Sequence, residues 1–312
     1  MIAFVTIEPF LDYTSPLFLI IPIVLAASSF VKNEDDILRL LFALILMSLF
    51  LASIFLLRRG DFAVAYKTLD VDRSGWTNAN MFGGSLAVGF ICSIGYFLGS
   101  FRLNKNIFLN LVAITTSFVT LTALILNASR GSLLAALGTG IILLLFSKVK
   151  LPYKIIVTVV IVGFAIYLYN SGYFNLIEAR MGEEDLETGG NRITIWKAKF
   201  EAFKELGFQS WIFGIGQPRL RYLGVFYSSH NDFVTAIIGY GVVGFMLFIS
   251  FLFSPFKMAK NCKREVLILT ILLLIEGMVL EPIFRGLLPF YMYYIVLYKY
   301  ALLSKEHSIQ RT

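Results

Sequence analysis

Charge is what this sequence has least of. Only 15% of its 312 residues are Asp, Glu, Lys or Arg, where soluble domains carry about 25%, and this excludes a self-contained domain wetted on every side. Cysteine is nearly absent. Cys92 lies deep in an apolar run and Cys262 in a Lys/Arg-rich loop, so the two are not expected to meet and no disulfide is predicted. Histidine is equally scarce, and His230 is the only one outside the C-terminal tail. The N-terminus lacks the basic region and cleavable apolar stretch of a signal peptide, so the first spans are expected to direct insertion themselves. The formal charge of +7 is scattered through loops rather than gathered in one patch, which argues against nucleic acid as a partner.

Apolar residues are what is plentiful. They make up 58% of the chain, and the mean hydropathy is +0.78. Runs near 20 residues recur, each long enough at 1.5 Å per residue to cross about 30 Å of hydrocarbon. Helices are predicted at 16–31, 37–57, 78–99, 106–126, 131–147, 154–170, 231–253, 266–284 and 287–303. The first is weakened by Pro16 and Pro22. The expected fold is an all-α integral membrane protein of about nine transmembrane helices, eight to ten, forming one polytopic domain over 1–312 without internal repeats.

Lys and Arg concentrate in the loops near 32–39, 100–106, 148–154 and 257–264 and in the C-terminal tail. The opposite side's short segments hold only Arg58, Arg59, Lys67, Arg73, Arg130 and Arg285. Because short basic loops stay in the cytoplasm, the C-terminus is expected inside and the long 171–230 loop outside. Within that loop an acidic stretch containing Glu183, Glu184 and Asp185 reads as a solvated turn rather than a cation site. It gives way at Asn191, a candidate N-cap, to a helix. Ile193, Trp196, Phe200, Phe203 and Leu206 share one face of it, with Lys197, Lys199, Lys204 and Glu205 assigned to the others. Such a helix is expected to lie on the bilayer surface.

Three features fall on the external side: Ser129-Arg130-Gly131 at the mouth of a span, Asn191-Arg192 opening the surface helix, and His230-Asn231 opening the next span. Arginine offers paired donors to phosphate, and helix N-termini add unpaired N–H groups. Taken singly, Arg130 reads as a snorkelling anchor, Arg192 as a solvated charge and His230 as an interfacial side chain. Taken together they suit a diphosphate.

The segments "SRGSLLAALGTGIILLLF", "NRITIWKAKFEAF", "FGIGQ" and "SSHNDFVTAIIGYGVVGFMLF" resemble, in that order, the O-antigen ligase and Wzy-type polymerase superfamily of membrane glycosyltransferases. The resemblance covers about 129–253, and "WTNANMFGG" at 76–84 is similar to an Asn-containing segment found there. It implies a GT-C-like fold in a bacterial cytoplasmic membrane. It further implies metal-independent, inverting transfer of a glycan from an undecaprenyl-diphosphate carrier to the sugar hydroxyl of a glycan or lipid-linked acceptor. Arg130 and Arg192 match the family's essential arginines and His230 its essential histidine. No cofactor is implied, and polysaccharide-assembly proteins are conceivable partners. The chain has fewer spans than family members commonly have, the shortfall falling at the N-terminus.

Other residues are weighed beside these. Arg219 and Arg221 could add positive potential for the diphosphate, against a solvent-facing reading; Tyr222 and Tyr227 could stack on sugar. Asn231, Glu276, Glu281 and Tyr227 are acceptor-side candidates. Against that role, Glu276 lies mid-span, where a carboxylate needs an internal partner, and Glu281 precedes Arg285 at ion-pair spacing. The Asp70-Val71-Asp72 tripeptide has the form of a metal-binding DxD, but such tripeptides arise readily by chance, and no metal is predicted. A lipid-glycan flippase and a non-catalytic scaffold of polysaccharide export are the rival readings.

Overall fold

The computed structural model describes residues 28–57, 79–99, 101, 107–127, 129–147, 149–172, 192–216, 220, 223–224, 229–259, 262–279 and 288–309. Among these there are helices and turns and no strand. The expected helix at 16–31 falls almost wholly outside the described residues. So do Asp70, Asp72, Glu183 to Asp185, Asn191, Arg219, Arg221, Tyr222, Tyr227, Glu281 and Arg285.

The helices are α1 (Glu34–Leu57), α2 (Ala79–Phe97), α3 (Ile107–Leu126), α4 (Arg130–Phe146), α5 (Leu151–Asn170), α6 (Arg192–Lys204) and α7 (Phe208–Phe213). A composite helix, α8, runs from Asp232 to Leu252, followed by α9 (Ser254–Met258), α10 (Lys263–Val279) and α11 (Leu288–Ile309). Several begin or end a turn away from the expected bounds because hydropathy marks the apolar stretch, not the cap. α1 starts at Glu34 because Asn33 and Asp36 cap each other: the Asp36 N–H donates to Asn33 Oδ1 at 2.9 Å and the Asn33 N–H to Asp36 Oδ2 at 3.3 Å. α11 continues to Ile309, past the last apolar residue of the expected helix.

The distribution of side chains is inverted relative to a soluble protein. Leu134, Val159, Met246 and Leu247 are exposed, whereas Ser48, Thr116, Thr120 and Thr139 are buried. Within the helices Ser93, Thr120 and Thr270 hydroxyls donate to the carbonyls of Gly89, Thr116 and Val266 at 2.6–2.7 Å, which satisfies them without a partner helix. An apolar exterior of this extent is covered by lipid, not water. Glu34–Leu57, Ile107–Leu126 and Asp232–Leu252 are long and apolar enough to cross a membrane, and shorter apolar helices occupy Phe82–Phe97, Arg130–Phe146 and Lys154–Phe164.

In the bundle α2 packs against α1, α3 and α4, α10 against α4, and α11 against α1 and α9. At one end Arg264 donates to the Phe146 carbonyl and Lys154 Nζ to the Leu145 carbonyl at 2.8 Å. These cations occupy the carbonyls left open at the C-terminus of α4. The first residues of α4 and the last turn of α10 lie at the other end.

The helix expected at 231–253 is present as Asp232–Leu252, but its backbone is broken. α8 is built from Asp232–Val234, a π turn at Thr235–Gly239, and Tyr240–Leu252, with Gly241 at φ 69 and ψ −171. The Phe233 and Phe248 rings lie 5.4 Å apart, although fifteen residues of straight helix would separate them by about 22 Å. α8 is therefore sharply bent. Its freed carbonyls are not left bare: the Ile215 N–H donates to Ile238 O at 3.2 Å and the Gly216 N–H to Gly239 O at 2.8 Å. A break at this depth is tolerated because another stretch of chain supplies the missing donors.

Candidate active site

The site is assembled where α4, α6, α8 and α10 meet. Residues 192–224 reach it through a small core of their own, in which Phe203, Leu220, Val234 and Ile238 are buried and Trp196, Leu206, Ile215, Leu223 and Ile237 pack around them. The apolar stripe expected on α6 is thus divided. Phe203, Trp196 and Leu206 face protein, while Ile193 and Phe200 stay exposed.

Lys199, assigned by residue type to a polar face, is fully buried instead. Its ammonium donates to the carbonyls of Leu220 at 2.5 Å and Leu223 at 3.2 Å, so it fastens α6 to the chain leading toward α8. Trp196, Lys199 and Phe203 fall at i, i+3 and i+7 on one face. Lys199→Ala leaves two buried carbonyls without that donor, an expected cost of about 1–3 kcal/mol; a lowered melting temperature in detergent would register it.

His230 sits at the entrance to α8 in the left-handed region, with φ 50. An L-residue remains there only when its surroundings hold it, and here both neighbours are fixed. The Trp196 indole N–H donates to Ser229 O at 2.7 Å, and the Ser229 hydroxyl contacts Asn231 O at 3.2 Å and the Thr235 hydroxyl at 2.6 Å. Asn231 is the N-cap of α8, its Oδ1 accepting from the N–H groups of Phe233 and Val234 at 2.8 and 3.0 Å. That carbonyl oxygen serves the backbone.

Arg192 opens α6 one turn before Trp196, so the indole that grips Ser229 also ties the Arg192 end of the helix to the His230 turn. The Arg192 guanidinium is held below its ordinary range by burial first and then by the nearby charge of Arg130, while Glu276 acts in the opposite sense. Arg192 therefore lies within electrostatic reach of one other guanidinium, Arg130, and of one carboxylate, Glu276. Arg130 is the first residue of α4, and Ser129, its N-cap, is buried and donates to the Ser132 hydroxyl at 3.1 Å. Ser132 in turn donates to Glu276 Oε2 at 3.4 Å.

Glu276 is fully buried on α10, and its Oε1 has no hydrogen-bond partner among the described residues. The internal hydrogen bond expected for it exists on one oxygen only. Next to it, Gly277 faces α8: a Cβ there would stand in ordinary contact, 3.5 Å from Asp232 Oδ2 and 3.4 Å from the Phe233 ring. Asp232, a second fully buried carboxylate, was passed over in the sequence although it directly follows His230-Asn231. Adjacency to that pair was the available signal.

The "GG" that closes the 76–84 segment also has a place here. A Cβ at Gly83 of α2 would lie 2.7 Å from Ser129 Cβ and 2.9 Å from Asn127 Nδ2, so α2 approaches the Arg130 turn through a side-chain-free position. Gly83→Ala is expected to displace that turn and reduce stability, read as a fall in melting temperature. Among the described residues no group of three or more His, Cys, Asp or Glu is arranged to hold a metal ion.

Residues 115–249, which include α4, α6, α7, the His230 turn and most of α8, match the O-antigen ligase family, Wzy_C. No curated protein matches the chain.

Proposed function

We propose, from the match of residues 115–249 to the O-antigen ligase family, that the protein is a membrane glycosyltransferase acting on a polyisoprenyl-diphosphate-linked glycan at the external face of a bacterial cytoplasmic membrane. The observation that carries this reading is the hydrogen bond from the Trp196 indole to Ser229 O, which fastens the His230 turn to the helix that Arg192 opens, beside the electrostatic influence of Arg130 and Glu276 on Arg192. In the proposed reaction an acceptor hydroxyl oxygen attacks C1 of the donor sugar as the C1–O bond to the diphosphate breaks. The bonding pair leaves on the diphosphate, whose growing charge Arg130 and Arg192 neutralise. The hydroxyl proton passes to the His230 imidazole, a base whose ordinary pKa of about 6.5 suits neutral solution. Inversion at C1 follows from a single displacement.

Undecaprenyl diphosphate is the carrier that fits, and the acceptor is a second lipid-linked glycan for a polymerase or a lipid A core sugar for a ligase. A repeat-unit polymerase is the preferred reading. The long loop is proposed to be external, the C-terminus cytoplasmic, and the fold GT-C-like with about nine spans. Arg219, Arg221, Tyr227 and Glu281 keep their proposed places near donor and acceptor.

The test is release of undecaprenyl diphosphate from a lipid-linked glycan by the purified protein. Release coupled to glycan lengthening or transfer supports the proposal. The broken α8 is the one feature that favours a carrier, since transporters place discontinuous helices at their binding sites; movement of the lipid-linked glycan across vesicles without bond cleavage would establish that alternative.

A further inference from the structure

The short helix α7 turns aromatic side chains away from the protein. Phe208 is 79% exposed, Phe213 68% and Trp211 41%, an apolar cluster of the kind that marks an interaction surface. The helix before it ends differently: the last turn of α6 and the residue after it expose Glu201, Lys204 and Glu205, and Lys204 pairs with Glu201 at 2.7 Å. The surface therefore changes from charged to aromatic between α6 and α7.

What α7 is fastened to decides what covers it. It packs against the Tyr240–Leu252 part of α8, so closely that a Cβ at Gly241 would stand 2.3 Å from Ile212 O. That part of α8 exposes Val242, Val243, Met246 and Leu247 within a segment long and apolar enough to cross a membrane, so its outer face lies in lipid. The exposed aromatics of α7 extend this lipid-covered surface. On its other side α7 is tied to the candidate site: the Trp211 and Phe203 ring centroids lie 5.2 Å apart, and Phe203 belongs to the small core shared with Val234 and Ile238 of α8. A charged turn followed by exposed Phe and Trp beside a spanning helix suits the boundary between lipid headgroups and acyl chains, where Trp is favoured.

We infer that α7 is a membrane-docking element whose partner is phospholipid. Phe208, Trp211 and Phe213 enter the leaflet on the side of the candidate site, about 5–10 Å into the boundary between headgroups and acyl chains. Docking at that depth holds the small core, and with it the turn that carries His230, at the level of the headgroups. The inference stands on the surface of α7 and does not depend on the proposed transfer.

The test uses the full-length protein in nanodiscs of phosphatidylcholine brominated either near the headgroup end or near the methyl end of its acyl chains. The chain has three tryptophans, Trp76, Trp196 and Trp211. The emission lost on Trp211→Phe is therefore the Trp211 signal, and Trp196 stays untouched. That signal is expected to be quenched strongly by the shallow bromines, weakly by the deep ones and little by aqueous acrylamide. Phe208→Trp supplies a second reporter, read as the emission it adds, with the same pattern expected; it carries the test if Trp211→Phe does not fold. Strong acrylamide quenching would place α7 in water, and quenching by the deep bromines alone would place it in the hydrocarbon core. Resistance to every quencher would mean that a second copy or another protein covers it. Each of these three results overturns the proposal.

Discussion

Arg192→Ala and Arg130→Ala are each expected to lower glycan transfer about 10²- to 10³-fold, the usual loss when one preorganised donor to a developing negative charge is removed. Lysine should restore little at either position, because a single ammonium cannot reproduce the planar paired donors of guanidinium. Arg192 is partly buried and is pressed by Arg130 and relieved by Glu276. His230→Ala is expected to cost about 10²- to 10⁴-fold if the imidazole takes the acceptor proton. His230→Asn separates chemistry from backbone, since asparagine also tolerates the left-handed φ of 50 found here. It should leave the protein folded and inactive. Gel analysis of surface glycan beside immunoblots of membrane fractions provides the measurement. Normal glycan at normal protein level in all three alanine variants would convert the protein into a scaffold.

The second large effect is expected at the broken helix. Gly214 has φ 78, and a Cβ on it would stand 2.2 Å from Gly239 O; Gly241 has φ 69, and its Cβ would stand 2.3 Å from Ile212 O. Both glycines need a backbone conformation that L side chains rarely adopt, and both touch backbone, which cannot swing aside as a side chain can. Alanine at either site carries about 1–3 kcal/mol of conformational strain before the collision is counted. The collision also parts the strands of chain joined by Ile215 to Ile238 and Gly216 to Gly239. Both variants are expected to disappear from the monodisperse peak in fluorescence-detected size-exclusion chromatography. Gly207→Ala is the matched control, because a Cβ there meets nothing within 4 Å.

The helices were legible because hydropathy and length report directly on which segments prefer lipid, and their ends were displaced where polar caps such as Asn33 and Asp36 carry the helix further. The arrangement of Arg130, Arg192 and Glu276 was partly legible, since each is a charge at or within an apolar segment and topology alone directs such residues to a few places. Lys199 was misplaced because residue type was allowed to outweigh register: its spacing from Trp196 and Phe203 already put it on the inner face. The bend in α8 was hidden for a different reason. Gly239-Tyr240-Gly241 sits in an apolar run whose hydropathy is the same whether the backbone is continuous or reversed, and the donors that complete the break come from "GIG" more than twenty residues earlier. Asp232 lay in plain view in "SSHNDF" without being weighed, because neither hydropathy nor spacing shows which of several adjacent polar residues is buried.

The pairing of residues 215 and 216 with 238 and 239 also bears on how the protein is made. A ribosome delivers the earlier partner first, and its N–H groups have nowhere to bond until the later stretch emerges. The end of the bundle that holds the candidate site therefore cannot mature from the N-terminus forward in simple sequence. It closes only after synthesis has passed Gly241, so a nascent chain halted before that residue would carry both arginines and the histidine without the clasp that holds their surroundings in shape.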